Sequence, residues 1–296
     1  FFSYDWEFIP QFEGALLFNN DLIKSLGMQN PYEMQSKGEW TWGNFKEELI
    51  KATQKIDEVQ ITGLQIGAID RTAQTAIMSN GVKTVEEKDG KFVVGYDSPE
   101  AFAALDYLKD LIKTKVAKVS GTTTEFSKDL KSVYYACESW IGTVNADGQP
   151  DLPSMLLDDY GFMPFPHGPN GSDETVSAYV HIGRRLNFVV GVSDNDPEDI
   201  GTVINYVFEP LEDSEPEAWK KLAKNSVFHH TEGYDNFVYM TENANYDYSA
   251  ELFDVRSQIS TALNKATSAS GSAVSAIDAI KELVQVEIDE AMNNQN

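Results

Sequence analysis

Short apolar, β-branched runs alternate along the chain with segments of helical periodicity, and this alternation constrains the fold more than any other feature. The strand-type runs occupy residues 14–18, 61–68, 131–137, 160–165 and 186–192. Between them, apolar residues recur at spacings of three and four, as at Phe45, Leu49 and Ala52. Strands that alternate with helices build a sheet that the helices cover. The sequence therefore predicts an α/β fold.

Capping residues mark where the predicted helices begin. Residues 98–100 (Ser-Pro-Glu) form a strong start, because serine caps free N–H groups, proline fits the first turn and glutamate complements the helix dipole. Thr41 is the expected cap of the helix that carries Phe45, whose apolar stripe extends to Ile56. At the end of the chain we predict one helix over residues 275–292, opening with Ser275 and Asp278 in a capping box.

The charge balance bears on the class of partner. The 296 residues include 47 acidic and 23 basic side chains, for a net charge of −24. A field of that sign repels phosphate backbones and anionic lipid, so we expect no nucleic acid and no membrane surface as a partner. The same charge keeps a cationic ligand open. At ~100–200 residues per domain, the length suggests one large or two ordinary domains.

The residue types that support catalysis or metal binding are sparse. The single cysteine, Cys137, excludes an intrachain disulfide and a zinc site of several cysteines. His229 and His230 are adjacent and cannot lie on one helical face, so we interpret them as a loop or helix-end pair rather than a zinc site. The nucleophile elbow, the P-loop and the dinucleotide fingerprint are missing from the sequence. We therefore predict no enzyme, no cofactor and no metal.

Five segments, taken in order, resemble family 1 extracellular solute-binding proteins, the substrate-capturing subunits of bacterial ABC importers. The segments are residues 16–22 (LLFNNDL), 38–45 (GEWTWGNF), 89–108 (DGK followed by DSPEA and ALDYL), 159–169 (DYGFMPFPHGP) and 277–289 (the closing helix). Asn20 and His167 stand where lysine is more usual in that family. Each motif is weak by itself, and the resemblance rests on their order and spacing across nearly the whole chain.

The resemblance implies a periplasmic-binding-protein-like fold of type II, an α/β architecture of two lobes joined by hinge crossings, with the first lobe incomplete in this chain. Residues 1–14 would be a remnant of lobe one and the hinge, and residues 15–186 would form the α/β lobe two. Residues 187–245 would return to lobe one, and residues 246–296 would supply C-terminal helices of lobe two. The crossings would lie at residues 16–18, 189–192 and near 244–246.

The function implied by the resemblance is non-catalytic capture of a sugar or oligosaccharide between the lobes, for uptake by an ABC transporter. The partners would be a small-molecule carbohydrate and a membrane permease, and the protein would be a monomer. Its location would be extracellular or periplasmic, with a lipoprotein anchor that is not in this sequence. Two alternatives remain: the same fold binding a cationic solute such as a polyamine, and an interaction module that reuses the fold without transport.

Sugar-binding clefts stack sugar rings on aromatic side chains and hydrogen-bond the hydroxyls with planar polar groups. Trp140 is the first candidate, because it follows a predicted strand and resembles the tryptophan of the family's G-x-W position; the alternative is an ordinary core tryptophan. Asp70 and Arg71 follow another predicted strand, where open α/β sheets place ligands. A surface ion pair in a loop is the alternative for these two residues.

Four further aromatic and acidic residues complete the candidate site. Tyr4, Trp6 and Glu13 precede the first strand and are placed to face the cleft, although Tyr4 and Trp6 are equally explained as terminal or core residues. Tyr179 precedes a predicted crossing and is a weaker candidate. Trp40 and Trp42 stay outside the site, because aromatic residues at a helix start more often pack as a staple.

Overall fold

The protein is described by a computed structural model, which covers residues 12–120, 131–137, 159–172, 174–181, 196–207, 218–247, 252 and 255–293. The strands are β1 (Ala15–Asn19), β2 (Lys55–Ile56), β3 (Val59–Gln60), β4 (Thr62–Ile66), β5 (Val85–Lys88), β6 (Lys91–Val94), β7 (Ala117–Val119), β8 (Ser132–Cys137), β9 (Tyr160–Pro164), β10 (Tyr179–His181) and β11 (Asn245–Asp247). The helices are α1 (Asn20–Ser25), α2 (Pro31–Ser36), α3 (Trp42–Ala52), α4 (Ile69–Ser79), α5 (Pro99–Lys113), α6 (Pro197–Val207), α7 (Ala218–Ser226), α8 (Thr231–Asn243), α9 (Arg256–Thr267), α10 (Ala273–Asp278) and α11 (Lys281–Asn293).

A five-stranded sheet in the order β7-β4-β8-β1-β9 organises the fold. Strand β4 runs parallel to β7 and β8, whereas β1 runs antiparallel to its neighbours β8 and β9. Four strands therefore share one direction, and β1 opposes them. Ala15 at the start of β1 lies opposite both Cys137 and Pro164. The amino end of β1 and the carboxyl ends of the parallel strands consequently meet at one edge of the sheet.

Apolar side chains cover both faces of this sheet. Leu16 and Phe18 of β1 enter a large core shared with α3, α4, α5 and the three C-terminal helices. Ala15 and Leu17 point to the opposite face and join a smaller core with Phe162 and residues of α7 and α8. Because successive side chains of a strand alternate between faces, a strand covered on both sides is apolar throughout. This arrangement explains the continuous apolar run that predicts β1.

The capping signals at Ser98 and Thr41 are confirmed. The hydroxyl of Ser98 accepts a hydrogen bond from the Ala101 N–H at 3.3 Å, and the hydroxyl of Thr41 accepts one from the Asn44 N–H at 3.4 Å. The structural interpretation of Trp40 and Trp42 is also confirmed. Both rings are buried, Trp40 donates to the carbonyl of Pro164, and Trp42 stacks on Tyr107 at a centroid distance of 4.5 Å.

Two helix predictions are wrong in their bounds. Helix α3 ends at Ala52, and Ile56 belongs to β2. The predicted closing helix is two helices, α10 and α11, and the hydroxyl of Ser272 rather than Ser275 caps the first of them. On α11, the amide of Gln285 hydrogen-bonds the Val94 N–H and the Phe92 carbonyl of β6. We attribute the break to this tertiary contact, which sets the direction of α11 and overrides a locally continuous apolar stripe.

Side chains cover the outer edge of β9. The hydroxyl of Tyr32 accepts a hydrogen bond from the Phe162 N–H at 3.0 Å, and the amide of Asn236 donates to the Phe162 carbonyl at 3.2 Å. Trp40 supplies the third bond, to Pro164. An exposed strand edge invites pairing with another chain. These three side chains occupy the hydrogen-bonding groups with which such a strand would pair.

Candidate functional site

The candidate site lies at the edge where the carboxyl ends of the parallel strands meet. Helix α4 begins at Ile69, three residues after β4 ends, and Glu13 stands two residues before β1 begins. In mixed and parallel α/β sheets this edge is where ligands bind, because the loops that follow the strands diverge there. The sheet order therefore brings together segments that are far apart in the sequence.

Glu13 and Arg71 form an ion pair at this edge. The guanidinium Nη1 of Arg71 donates to Oε1 of Glu13 at 3.3 Å. Only 2% of the Glu13 side chain is exposed, whereas 35% of the Arg71 side chain is. The carboxylate thus lies at the floor of the site, and the partly exposed side chain of Arg71 lies at its mouth.

Tyr179 connects both members of this pair. Its backbone exchanges two hydrogen bonds with Glu13, at 2.8 and 3.1 Å, and its hydroxyl donates to the carbonyl of Arg71 at 3.3 Å. Strand β10, which carries Tyr179, also pairs in parallel with β11. Three separate chain segments therefore run side by side next to the ion pair: Glu13, β10 and β11. Residues 16–18, by contrast, lie within the five-stranded sheet, and residues 189–192 lie outside the described residues.

Asp70 lies next to Arg71 in the chain but makes a different contact. Its carboxylate accepts a hydrogen bond from the Ser260 hydroxyl of α9 at 2.6 Å. Both residues belong to the first turn of α4, which follows β4, and not to the loop of the alternative interpretation. Because Asp70 sits at a helix N-terminus, its charge also complements the helix dipole. The structure thus separates the two neighbours: Arg71 joins Glu13, and Asp70 joins α9.

A small pocket opens beside the ion pair. Besides Glu13 and Arg71, its walls come from Ala15, Ala68, Thr72, Thr75, Ala136 and Phe165. Its volume of about 10 Å³ holds about one water molecule. A larger ligand therefore has to sit above it, against the exposed part of Arg71. Thr72, Thr75 and Phe165 were not predicted from the sequence. Phe165 reaches this edge only through the sheet order, whereas Thr72 and Thr75 follow Arg71 on α4, where the helical spacing is a local signal that could have found them.

The remaining predicted site residues, Trp140, Tyr4 and Trp6, lie outside the described residues. Four of the seven candidates are therefore placed by the structure, and three of those four, Glu13, Arg71 and Tyr179, contact one another.

His230 belongs to a separate polar cluster at the opposite end of β9. It is the residue before α8, and its Nε2 lies 2.7 Å from the carboxylate of Asp159. Asn20 and Lys24 donate to the same carboxylate at 2.9 Å. Partial burial raises the pKa of Asp159, but the hydrogen bonds from Lys24, Asn20 and His230 outweigh it and bring the pKa from 3.8 to about 2. The helix-end interpretation of the histidine pair is confirmed, since His230 joins α8 to the sheet.

No family model matches the sequence. Several solved structures, however, match the fold of this chain. The cyclic α-maltosyl-1,6-maltose binding protein of Arthrobacter globiformis matches with a TM-score of 0.61 and 16% identity, over 96% of this chain and 72% of that one. UgpB of Mycobacterium tuberculosis, in complex with glycerophosphocholine, matches with a TM-score of 0.63 and 13% identity, over 97% and 72% of the two chains.

The GacH receptor of Streptomyces glaucescens, whose structures include a complex with acarbose, matches with a TM-score of 0.56 and 19% identity, over 94% of this chain and 71% of that one. At these identities the likeness establishes the fold. The chain has the mixed α/β, periplasmic-binding-protein-like architecture that the sequence predicts. Within the described part of the chain, every helix is too short or too polar to span a bilayer.

Proposed function

We propose that this chain is the non-catalytic substrate-binding subunit of an ABC importer and that it captures a sugar or oligosaccharide at the carboxyl edge of its sheet. The observation that carries the proposal is the Glu13–Arg71 pair at that edge. A guanidinium that reaches solvent, held by a buried carboxylate, supplies the oriented donors with which proteins bind neighbouring hydroxyls. Each of the three solved structures described above comes from a protein named for, or crystallised with, a small polar solute.

The pairing of Glu13 favours a sugar over a polyamine. A site for a polyamine needs carboxylates whose negative charge is available to the ligand. Glu13 already faces a cation, and Arg71 is the more exposed member of the pair. An approaching ammonium group would meet a like charge first. We therefore attribute the net charge of −24 to acidic side chains on the solvated exterior rather than to the binding site.

The three adjacent segments at Glu13, β10 and β11 are the proposed hinge. Closure about them would move a second lobe over Arg71 and bury the ligand, and the permease would recognise the closed form. The resemblance places lobe two at residues 15–186 and 246–296 and lobe one at residues 1–14 and 187–245. In this proposal α7 and α8 stay with lobe two, because they share a core with β1 and β9. The protein would act as a monomer, extracellular or periplasmic, with a lipid anchor outside this sequence.

Isothermal titration calorimetry tests the proposal directly. The protein is titrated with maltotriose, laminaribiose, glycerophosphocholine and spermidine, and the recovered saccharides are analysed for cleavage. We expect saccharide binding with near-micromolar affinity and intact saccharides afterwards. Binding of spermidine alone would favour the cationic alternative, and cleavage of a saccharide would overturn the non-catalytic assignment. Failure of all four ligands to bind would favour the interaction module.

A further inference from the structure

A second and larger pocket lies away from the Glu13–Arg71 pair. It has a volume of about 340 Å³ and is formed by the end of α4, the segment 174–176 and the junction of α8 with β11. It shares no lining residue with the pocket beside Arg71. We call it the Tyr239 pocket and define it by Val82, Lys83, Glu174, Tyr239, Asn243 and Asn245. Its size lies near the lower end of the range of small-molecule sites, about 300–1,000 Å³.

The Tyr239 pocket offers one aromatic surface. Tyr239 lies on α8 with 44% of its area exposed, and it lines the pocket. Asn243 follows four residues later on the same face of the helix, and its amide donates to the Tyr239 carbonyl at 2.9 Å. The helix therefore presents the ring and the oxygen of the Asn243 amide to the same space.

Polar groups surround this ring with their bonding capacity unused. Within the part of the chain that the structure describes, the ammonium of Lys83, the carboxylate of Glu174 and the hydroxyl of Tyr239 have neither a hydrogen bond nor an ion pair. Asn245, in contrast, is anchored, since its amide donates to the Val176 carbonyl at 2.6 Å. The pocket thus combines an anchored amide, that of Asn245, with donors and acceptors that have no bonded partner among the described residues.

The chemistry of these groups selects the ligand. One lysine and one glutamate leave the pocket with no net charge, so neither an anion nor a cation is favoured by the field. A pyranose ring has an apolar face of C–H groups that suits a tyrosine ring, and its equatorial hydroxyls need both donors and acceptors. We propose that the Tyr239 pocket is a second carbohydrate site that holds a single pyranose ring. This inference is independent of the function proposed for the Arg71 edge, because the two pockets share no residue.

Saturation-transfer difference NMR tests the proposal on the whole chain. The probes are methyl α-glucopyranoside, methyl α-galactopyranoside and methyl α-mannopyranoside. The parent protein carries Arg71→Met, which weakens binding at the Arg71 edge, and the loss of signal on Tyr239→Ala then assigns the remaining binding to the Tyr239 pocket. We expect saturable binding of at least one pyranoside with a Kd of about 1–10 mM, as suits a single ring on an open surface. Absence of saturable binding up to about 20 mM for all three pyranosides would overturn the proposal.

Tyr239→Ala, added to the Arg71→Met parent, decides the location of the site. It should weaken the binding at least about fivefold, through loss of the stacking surface. The matched control is Tyr206→Ala, which removes a ring that is 80% exposed on α6 and should leave the Kd unchanged. Equal binding by the Tyr239 and Tyr206 variants would contradict the assignment. If Tyr239→Ala lowers the melting temperature, Lys83→Met serves in its place, since the Lys83 ammonium has neither a hydrogen bond nor an ion pair within the described residues.

Glycine betaine distinguishes the sugar from a zwitterion. The lysine and the glutamate that line the pocket could also hold a small zwitterion, whose charges would replace the aromatic contact. If glycine betaine binds to the Arg71→Met parent and the pyranosides do not, the pocket is not a carbohydrate site. Two results together would show that the sites are separate, as proposed. The pyranosides bind to the Arg71→Met parent, and maltotriose binds the single variant Tyr239→Ala with the same affinity as the wild type.

Discussion

The guanidinium of Arg71 lies 3.3 Å from the buried carboxylate of Glu13 and joins the first turn of α4 to the segment that leads into β1. Because Glu13 is also bonded through its backbone to Tyr179, a change in the position of β10 shifts the acceptor of this pair. The contact thus connects the proposed ligand site with the proposed hinge.

Arg71→Met should weaken saccharide binding by about 10- to 100-fold, since it removes charge-assisted donors from the mouth of the site. The measurement is the calorimetric Kd for whichever saccharide binds the wild type. Lys113→Met is the control, because Lys113 is exposed in the last turn of α5, which leads to the amino end of β7 at the opposite edge of the sheet. Equal affinity in both variants would place the ligand elsewhere on the protein.

Local signals explain why much of the fold is predictable from the sequence. The cap at Ser98 and the apolar run of β1 each depend on neighbours within a few residues, and both are confirmed. The bounds of α10 and α11 were wrong because the contact between Gln285 and β6 joins residues about 190 positions apart. Periodicity carries no information about such a partner.

The site was partly predictable for a different reason. Arg71 is a candidate because it follows a predicted strand, and Glu13 because it precedes one. That these two residues touch depends on the sheet order, in which β8 separates β4 from β1. The Tyr239 pocket had no signal in the sequence at all, since its walls come from three distant segments.

Asp159 should make the stability of the protein depend on acid pH. Its pKa in the folded protein, about 2, is below the ordinary 3.8 because Lys24, Asn20 and His230 hold the ionised form. The stabilisation is complete above the ordinary pKa and is lost as the pH falls through about 2. With 27% of the side chain exposed, we expect the contribution to be about 1–2 kcal/mol.

Urea unfolding of the wild type and Asp159→Asn, between about pH 2 and pH 6, measures this contribution. The difference in free energy of unfolding between the two proteins should be largest near neutral pH and should shrink in acid, because only the wild type has a carboxylate at residue 159 to protonate. Asp106→Asn, at an exposed position of α5, controls for the general loss of negative charge. A difference that does not change with pH would show that ionisation of Asp159 is not the cause.

The edge of β9 predicts a local effect of Tyr32→Phe. The variant keeps the ring but removes the acceptor of the buried Phe162 N–H, which should lower the free energy of unfolding by about 1–3 kcal/mol. Hydrogen exchange at the Phe162 amide should become faster, whereas exchange at β4 amides should follow the global stability alone. Tyr206→Phe, which removes an exposed hydroxyl, should change neither quantity. Unchanged exchange at Phe162 would mean that Tyr32 does not protect this edge.

Gly161 lies opposite Phe18 in the pairing of β1 with β9, and the Phe18 ring covers it. A Cβ at Gly161 would come within 2.0 Å of the ring, so Gly161→Ala forces Phe18 out of a closely packed core. We expect a loss of about 1–3 kcal/mol in the free energy of unfolding. Gly201→Ala in α6 is the matched control. No atom lies within 4 Å of its Cβ, and alanine favours a helix by about 0.5–1 kcal/mol, so this variant should be slightly more stable.

Phe18→Leu separates this steric effect from any general weakness of β9. Alone, it should destabilise the protein through the cavity it leaves, by about 1–2 kcal/mol. Combined with Gly161→Ala it gives the new methyl group room, so the double variant should be more stable than the sum of the single changes predicts, by about 1 kcal/mol or more. Urea unfolding of the four proteins closes this cycle. Strictly additive changes would mean that alanine at residue 161 acts through something other than contact with the Phe18 ring.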